Sequence, residues 1–388
     1  CINPGPVDTG YADGETHDTV AAMFPDHRWG TPDDVANLAA FLVSDEGRWI
    51  RGQVIDSEGG FDRFAWHNVH EQGSGTNFPA CRPAPLALGA MTDLGFDGLV
   101  AIITGAGGGL GKQHALMVAK RGALIVVNVL GGSGDGTGSD KGAAQLVVDE
   151  IQAAGGEAVA NTDSVATPEG GAAIVQSAVD AFGKVDIVIN NAGILRDKSF
   201  HNMDADLFDP VIDVHLRGAF NVTQPAWKIM REQGYGRIVS TSSAAGIFGN
   251  FGQANYGAAK MGLVGFTNVL AVEGAKYNIK ANAIAPLALT RMTEDILGGL
   301  GDKLQPELIS PLVTYLSHES CEATGRVFSV GGGRVAEVFI AETVGYTNTT
   351  GLTPEDLAAH WGDVTAQDGY AVPATIADET ALFLKALS

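Results

Sequence analysis

Residues Leu99–Gly111 read LVAIITGAGGGLG. The first six form a short apolar run, and glycines end it. A run with apolar side chains at consecutive positions suits a strand covered on both faces. Helical spacing follows from about Leu110 to Arg121. Glycines between a strand and a helix let the backbone turn tightly and approach a pyrophosphate, which rests on the helix N-terminus. Many glycine turns serve packing only. In this strand–turn–helix context the expected cofactor contacts are Gly105, Gly109, Leu110 and Gly111.

Working outward, the same alternation repeats. LIVVN (124–128), EAVAN (157–161), VDIVIN (185–190), GRIVSTSS (236–243) and IKANAIAP (279–286) read as strands, with helical stretches between them. Pro168 sits just inside one such helix, where its missing N–H costs nothing. Buried strands separated by helices predict an α/β fold, a doubly wound parallel sheet of dinucleotide-binding type.

The chain before Leu99 is different. Residues 62–90 show little periodicity and many Gly and Pro, and read as a linker. Within residues 1–61, NPGPVDT and GQVIDSEGG have counterparts at AIAPLALT (283–290) and GRVFSVGGG (325–333). A helix-like segment separates each pair. The early copy repeats only the end of the later domain and has no glycine-rich turn of its own. The expected organisation is a partial segment 1–61, a linker 62–90, a complete domain 91–333 and an extension 334–388. Met91 is a plausible internal start. Residues 1–90 are then either a fused remnant outside the enzyme unit or a docked appendage.

Net charge is −21 with charged residues at 18% and hydrophobic residues at 45%. No Lys/Arg cluster is present, which disfavours nucleic acid and anionic membrane surfaces. No apolar run reaches the roughly 18–20 residues of a membrane span. Cys1, Cys81 and Cys321 are far apart and odd in number, so neither a disulfide scaffold nor a metal site is expected, and a cytoplasmic location is.

Three further stretches carry chemistry. NNAG (190–193) ends a strand at the carboxyl edge of the sheet, placing Asn191 and Gly193 where ligands bind, although Asn side chains capping a turn would read the same. DSV (163–165) offers Asp163 to an adenine amino group and Ser164 beside it; a helix-terminal carboxylate is the plainer reading. NYGAAK (255–260) places Tyr256 and Lys260 one helical turn apart. Such pairs are commonly structural. Here Ser242 and Ser243 precede by about a dozen residues. A Lys ammonium and an oxidised nicotinamide would both favour a phenolate, which could exchange a proton with a substrate oxygen held by the Ser hydroxyl.

Together these motifs resemble the short-chain dehydrogenase/reductase family from about Met91 to Gly333. The resemblance implies catalytic roles for Ser243, Tyr256 and Lys260, with Tyr256, Lys260 and Thr290 also contacting a nicotinamide cofactor. More narrowly, NNAGILRDKSF, VHLRGAF, SSAAGIFGNFGQANYGAAK, IAPLALTRMT, LSHESCEATG and TPEDLAAHW resemble the (3R)-hydroxyacyl-CoA dehydrogenase part of peroxisomal multifunctional enzyme type 2 and bacterial single-domain relatives. Residues 1–60 resemble the C-terminal part of another member. The implied activity is oxidation of a 3-hydroxyacyl-CoA; a steroid or other hydrophobic alcohol, or a 3-oxoacyl carrier-protein substrate, is the alternative. A homodimer or homotetramer is implied too.

Two departures stand out. His215 occupies a helix position where the wider family has Asn, although the subgroup shares VHLRG. Val129, in VNVLGG, stands where the subgroup has an Asp gripping the adenine ribose. A carboxylate there selects NAD; Val129 does not, and no Arg or Lys nearby welcomes NADP. NAD at lowered affinity is the expectation, with Asp135 or Asp140 as substitutes. The segment 287–305 is expected to act as a substrate lid. A catalytically poor scaffold is the rival reading, motivated by Val129 and opposed by the intact Ser243, Tyr256 and Lys260.

Overall fold

The computed structural model describes residues 2–3, 55–56, 94–131, 142–288 and 303–387. The expected linker 62–90, Asp135, Asp140, Thr290 and most of the expected lid lie outside the described residues. The chain divides into two units, Cys1–Met91 and Thr92–Ser388.

In the first unit β1 (Ile2–Asn3) pairs in parallel with β2 (Ile55–Asp56), Ile2 opposite Ile55. Within the second unit, β8 (Ile279–Pro286) and β9 (Val327–Gly331) pair in parallel with Ile284 opposite Phe328. Aligning Pro4 with Pro286, and Gly52 with Gly325, superimposes these two registers. The internal repeat is thus a repeat of pairing as well as of sequence.

The second unit holds an eight-stranded sheet. Along the chain, β3 (Val100–Thr104), β4 (Leu124–Asn128), β5 (Glu157–Asn161), β6 (Ile187–Asn190) and β7 (Gly236–Thr241) precede β8, β9 and β10 (Arg334–Val338). In space the order is β10-β9-β8-β7-β6-β3-β4-β5, parallel except for β10. The helices are α1 (Gly109–Ala119), α2 (Gly142–Ala153), α3 (Pro168–Phe182), α4 (Ala205–Ile212), α5 (Gly218–Gln233), α6 (Ala244–Phe248), α7 (Ala254–Gly274) and α8 (Ser310–Ser317).

Period-two side chains divide each strand between two cores. Val100 and Ile102 join Ile174 of α3, Val222 of α5 and Leu270 of α7. Ala101 and Ile103 join Val118 of α1, Ile151 of α2 and Val313 of α8. This is the covered-on-both-faces arrangement that continuous apolar runs require. Local chemistry sets the ends. Thr167 caps α3 by accepting from Gly170 N–H at 3.1 Å, Pro168 takes the first helical position, and Gly183 closes the helix at φ +80°.

The sheet runs past Gly333, the expected boundary. Left-handed Gly332 and Gly333 turn the chain back, and β10 lies antiparallel on β9. Beyond it come α9 (Pro354–Ala359), α10 (Trp361–Thr365) and α11 (Ile376–Leu387). Among the described residues, no helix is long and apolar enough to cross a membrane.

Candidate active site

The strand order creates the site. From β3 the chain moves outward through β4 and β5, then returns to β6 on the other side of β3. At that switch the loops above the carboxyl ends diverge and leave a crevice. A cavity of about 1040 Å³ opens there. Its lining crosses the sheet from Val129 and Asp163, over Gly105–Leu110 and Asn191–Gly193, to Ser243, Tyr256 and Lys260.

Backbone proximity explains the glycines. Gly105 has φ +64°, and a Cβ there would stand 2.8 Å from Ala192 Cα. Gly108 opens onto free space and caps α1 with no side-chain bond, so the leading N–H groups of the helix face the cavity's glycine wall uncovered by a cap. Gly111 does not line the cavity. A Cβ on it would collide with Gly105 O and Asn191 Nδ2, so this glycine lets helix and turn pack. Leu110 and Gly109 are in the wall.

Asn191 lines the cavity, yet its amide is engaged. It donates to Thr104 O at 3.0 Å and Gly105 O at 3.2 Å, fastening the end of β6 to the glycine turn. Thr104, which sequence reading passed over, is the hub of this junction: its hydroxyl accepts Asn191 N–H and Ala192 N–H, both at 3.0 Å. Gly193 is demanded by His215, whose ring edge a Cβ would strike.

Asp163 and Ser164 stand at the rim. Asp163 accepts from Asn161 Nδ2 at 2.8 Å, and Ser164 Oγ accepts from Ala166 N–H at 3.2 Å. The plainer reading of Asp163 as a helix-end carboxylate fails, because Thr167 does that capping. Asp163 instead braces the turn after β5.

The two serines separate in role. Strand β7 stops at Thr241, and Ser242 donates to Lys260 O at 2.7 Å, spent on holding α7. Ser243 caps the short helix α6 and stands near enough to Tyr256 to act on its phenol, lowering its pKa against the effect of burial. Tyr256 begins the second residue-pair of α7, and Lys260 follows one turn on. Lys260 Nζ is buried, donates to Thr241 O and lies 5.4 Å from the centre of the Tyr256 ring.

Burial acts on the protonation of both groups. Burial pushes the Tyr256 phenol above its ordinary value; the Ser243 bond opposes this and Asp197 adds to it. Burial also holds Lys260 down to about 7. Desolvation thus opposes the phenolate that the Lys260 ammonium and an oxidised nicotinamide would favour.

His215 lies in a π-helical turn, Asp213–Arg217, between α4 and α5. Its Nε2 meets Ile194 O at 2.8 Å and Ile194 N–H at 3.0 Å, and its ring stands edge-to-face with Tyr256, centres 5.2 Å apart. Sequence reading also missed Gln253, which lines the cavity and donates to Asp197 at 2.7 Å. Nothing in its local pattern marks it.

A dinucleotide fits this donor set in part. The glycine wall, the uncapped start of α1 and the long cavity suit a pyrophosphate. At the β4 end Val129 is apolar and packs where a Cβ on Gly107 would meet its Cγ1 at 2.8 Å.

The short chain dehydrogenase family model matches residues 99–297. A short-chain type dehydrogenase/reductase of Mycobacterium tuberculosis is 51% identical over 276 residues, covering 71% of this chain and 96% of that one. The chain belongs to the short-chain dehydrogenase family. It is an oxidoreductase with the family's fold. An enoyl-(acyl carrier protein) reductase model matches residues 1–62, in keeping with the repeated strand pair. Mouse peroxisomal multifunctional enzyme type 2 is 49% identical over 291 residues, 74% of this dehydrogenase but 39% of the mouse enzyme. This chain thus spans well under half of that relative. The full-length Drosophila melanogaster enzyme of that name superposes with TM-score 0.64 at 38% identity, covering 76% of this chain and 50% of that one. A 7α-hydroxysteroid dehydrogenase holding NADH and 7-oxo glycochenodeoxycholic acid superposes at 0.57 with 30% identity, covering 62% and 96%.

Proposed function

We propose that the protein is an NAD-dependent dehydrogenase of a 3-hydroxyacyl-CoA, with Ser243, Tyr256 and Lys260 as its catalytic set. The observation that carries the reading is the meeting of Ser243 and Tyr256 in one cavity with the glycine turn. The relatives' identity as multifunctional enzymes supports the acyl-CoA substrate.

A bound nicotinamide cofactor supplies the hydride acceptor in oxidation and the donor in reduction. Gly105, Gly109, Leu110 and the backbone of Asn191–Gly193 would hold it, with Asp163 and Ser164 at its far end. Ser243 orients the substrate oxygen. Tyr256 holds the proton at Oη and gives it to a carbonyl oxygen, or takes it from an alcohol. Lys260, anchored on Thr241 O, keeps α7 in register with β7 and presents its charge beside the phenol. Burial favours the protonated Tyr256 phenol, so the proton donor is populated at neutral pH and removal of an alcohol proton is favoured at alkaline pH.

NAD is preferred over NADP because no basic group among the described residues stands beside Val129; affinity is modest for want of a carboxylate. A panel of 3-hydroxyacyl-CoA and hydroxysteroid substrates, run with both cofactors, tests this. Turnover of acyl-CoA with NAD is expected; hydroxysteroid turnover alone, or a clear NADP preference, would overturn it. The protein works as a homodimer or homotetramer in a reducing, cytoplasmic setting, which size-exclusion chromatography with light scattering and cell fractionation would check.

A further inference from the structure

Beside His215 lies a second and much smaller cavity of about 10 Å³. Thr104, Asn190, His215, Gly218, Ala219 and Leu263 are among its walls. Two polar atoms of this wall have no hydrogen-bond partner among the described residues, His215 Nδ1 and Asn190 Oδ1. Both side chains are almost wholly buried, at 3% and 6% exposure. A buried acceptor or donor left alone is costly, so two in one small cavity call for a common partner.

The volume and the chemistry identify that partner. A single water needs about 10–15 Å³ on the same measure and two to four polar neighbours. Asn190, in the cavity wall, already gives Nδ2 to Thr223 Oγ1 at 2.9 Å, which leaves its Oδ1 as the acceptor without a partner. On the other side of the ring, His215 Nε2 is given to Ile194. If Nε2 carries the proton, Nδ1 accepts; if not, Nδ1 donates. A water meets either need with one hydrogen or one lone pair, and gives a hydrogen to Asn190 Oδ1. No cation fits as well: His215 is kept neutral by burial and by the Lys260 charge, and the cavity offers no carboxylate.

We propose that this cavity holds one resident water bridging His215 Nδ1 to Asn190 Oδ1, and that His215, so pinned at both ring nitrogens, is a positioning residue for Tyr256. The role rests on the reading of Tyr256 as the proton-transfer group. The His215 ring meets the Tyr256 ring edge-to-face, and Gly193 leaves room for its other edge. Pinned at Nε2 alone, the ring could swing about that contact. Pinned at both nitrogens it becomes a fixed wall, and it holds the phenol where Ser243 can reach it. The charged groups acting on that phenol are Lys260 and Asp197. The Ser243 bond is what lowers its pKa.

Two variants of Ala219 and a crystal structure test this. Electron density at hydrogen-bonding distance from both atoms is expected in the parent protein; a well-ordered cavity without it overturns the water. Ala219→Val fills the cavity. It should lower kcat by roughly tenfold through a misplaced phenol, leave KM for the cofactor unchanged, and move the apparent pKa of kcat/KM upward as the Ser243 bond weakens. Ala219→Gly leaves room for the water, so it should keep the parent's pH profile even if its melting temperature falls. An Ala219→Val enzyme with the parent's kcat and profile overturns the positioning role. If Tyr256→Phe retains activity, that role falls with the active-site reading, and the density alone decides the water.

Discussion

Lys260→Met should make the protein more stable and nearly inactive. Burial holds the Lys260 ammonium down from an ordinary 10.5 to about 7. At about 1.4 kcal/mol per pH unit, carrying this group into the fold at pH 7 costs roughly 4 kcal/mol. Its bond to Thr241 O returns about half of that, since hydrogen bonds to charged groups contribute about 1.5–3 kcal/mol. Met has similar length, leaves no charge to desolvate, and needs no partner. A net gain of about 2 kcal/mol follows, which in a domain of this size raises Tm by roughly 4–8 °C. The sign with pH is fixed as well. The folded pKa is depressed, so between about pH 7 and 10.5 the unfolded chain binds more protons. Stability therefore rises with pH across that window in the parent, and Lys260→Met removes this rise. Thermal melts from pH 6 to 10, run with and without the substitution, measure both effects. A variant that melts lower at pH 7, or that keeps the parent's pH slope, would refute the assignment of this cost to Lys260.

Other outcomes follow from the same geometry. Carbonyl reduction should fall and alcohol oxidation should rise as pH climbs toward the raised Tyr256 pKa, which initial rates in both directions would show; matching profiles in the two directions would count against Tyr256. Gly105→Ala, at φ +64° and against Ala192 Cα, should weaken cofactor binding more than tenfold and lower Tm, read by fluorescence titration and melting. Val129→Asp should tighten NAD by roughly ten- to a hundredfold, the worth of one charged hydrogen bond, while NADP binding weakens; equal gains for both cofactors would show that this position does not face the ribose.

The fold was legible because strand burial is written twice over in this sequence. LVAIIT, LIVVN and VDIVIN place apolar residues on both faces, and glycines mark where each strand must turn. The proposed catalytic trio was legible only in combination, since a Tyr and a Lys one turn apart carry little meaning without Ser243. What sequence could not yield was competition for each polar group. Ser242 and Ser243 look alike in the chain, yet one is consumed by Lys260 O and the other faces the cavity. Asn191 lines the cavity as its motif suggests, but its side-chain amide is spent fastening β6 to the glycine turn. Gly111 reads as part of the cradle and lies beneath it. Most of all, Lys260 reads as a strong cation beside a phenol, whereas burial removes much of its charge. These outcomes depend on three-dimensional neighbours such as Thr104 and Thr241, about 85 and 20 residues from the groups they hold.

The role proposed for Tyr256 is proton exchange with the substrate oxygen during nicotinamide-dependent oxidation of a 3-hydroxyacyl-CoA. Absorbance at the reduced-nicotinamide band, followed with NAD and a 3-hydroxyacyl-CoA for the parent and for Tyr256→Phe at matched folding, tests it most directly. Steady turnover by the parent and a loss of about 10²–10⁴-fold in the variant are expected. Equal rates in the two proteins would contradict it.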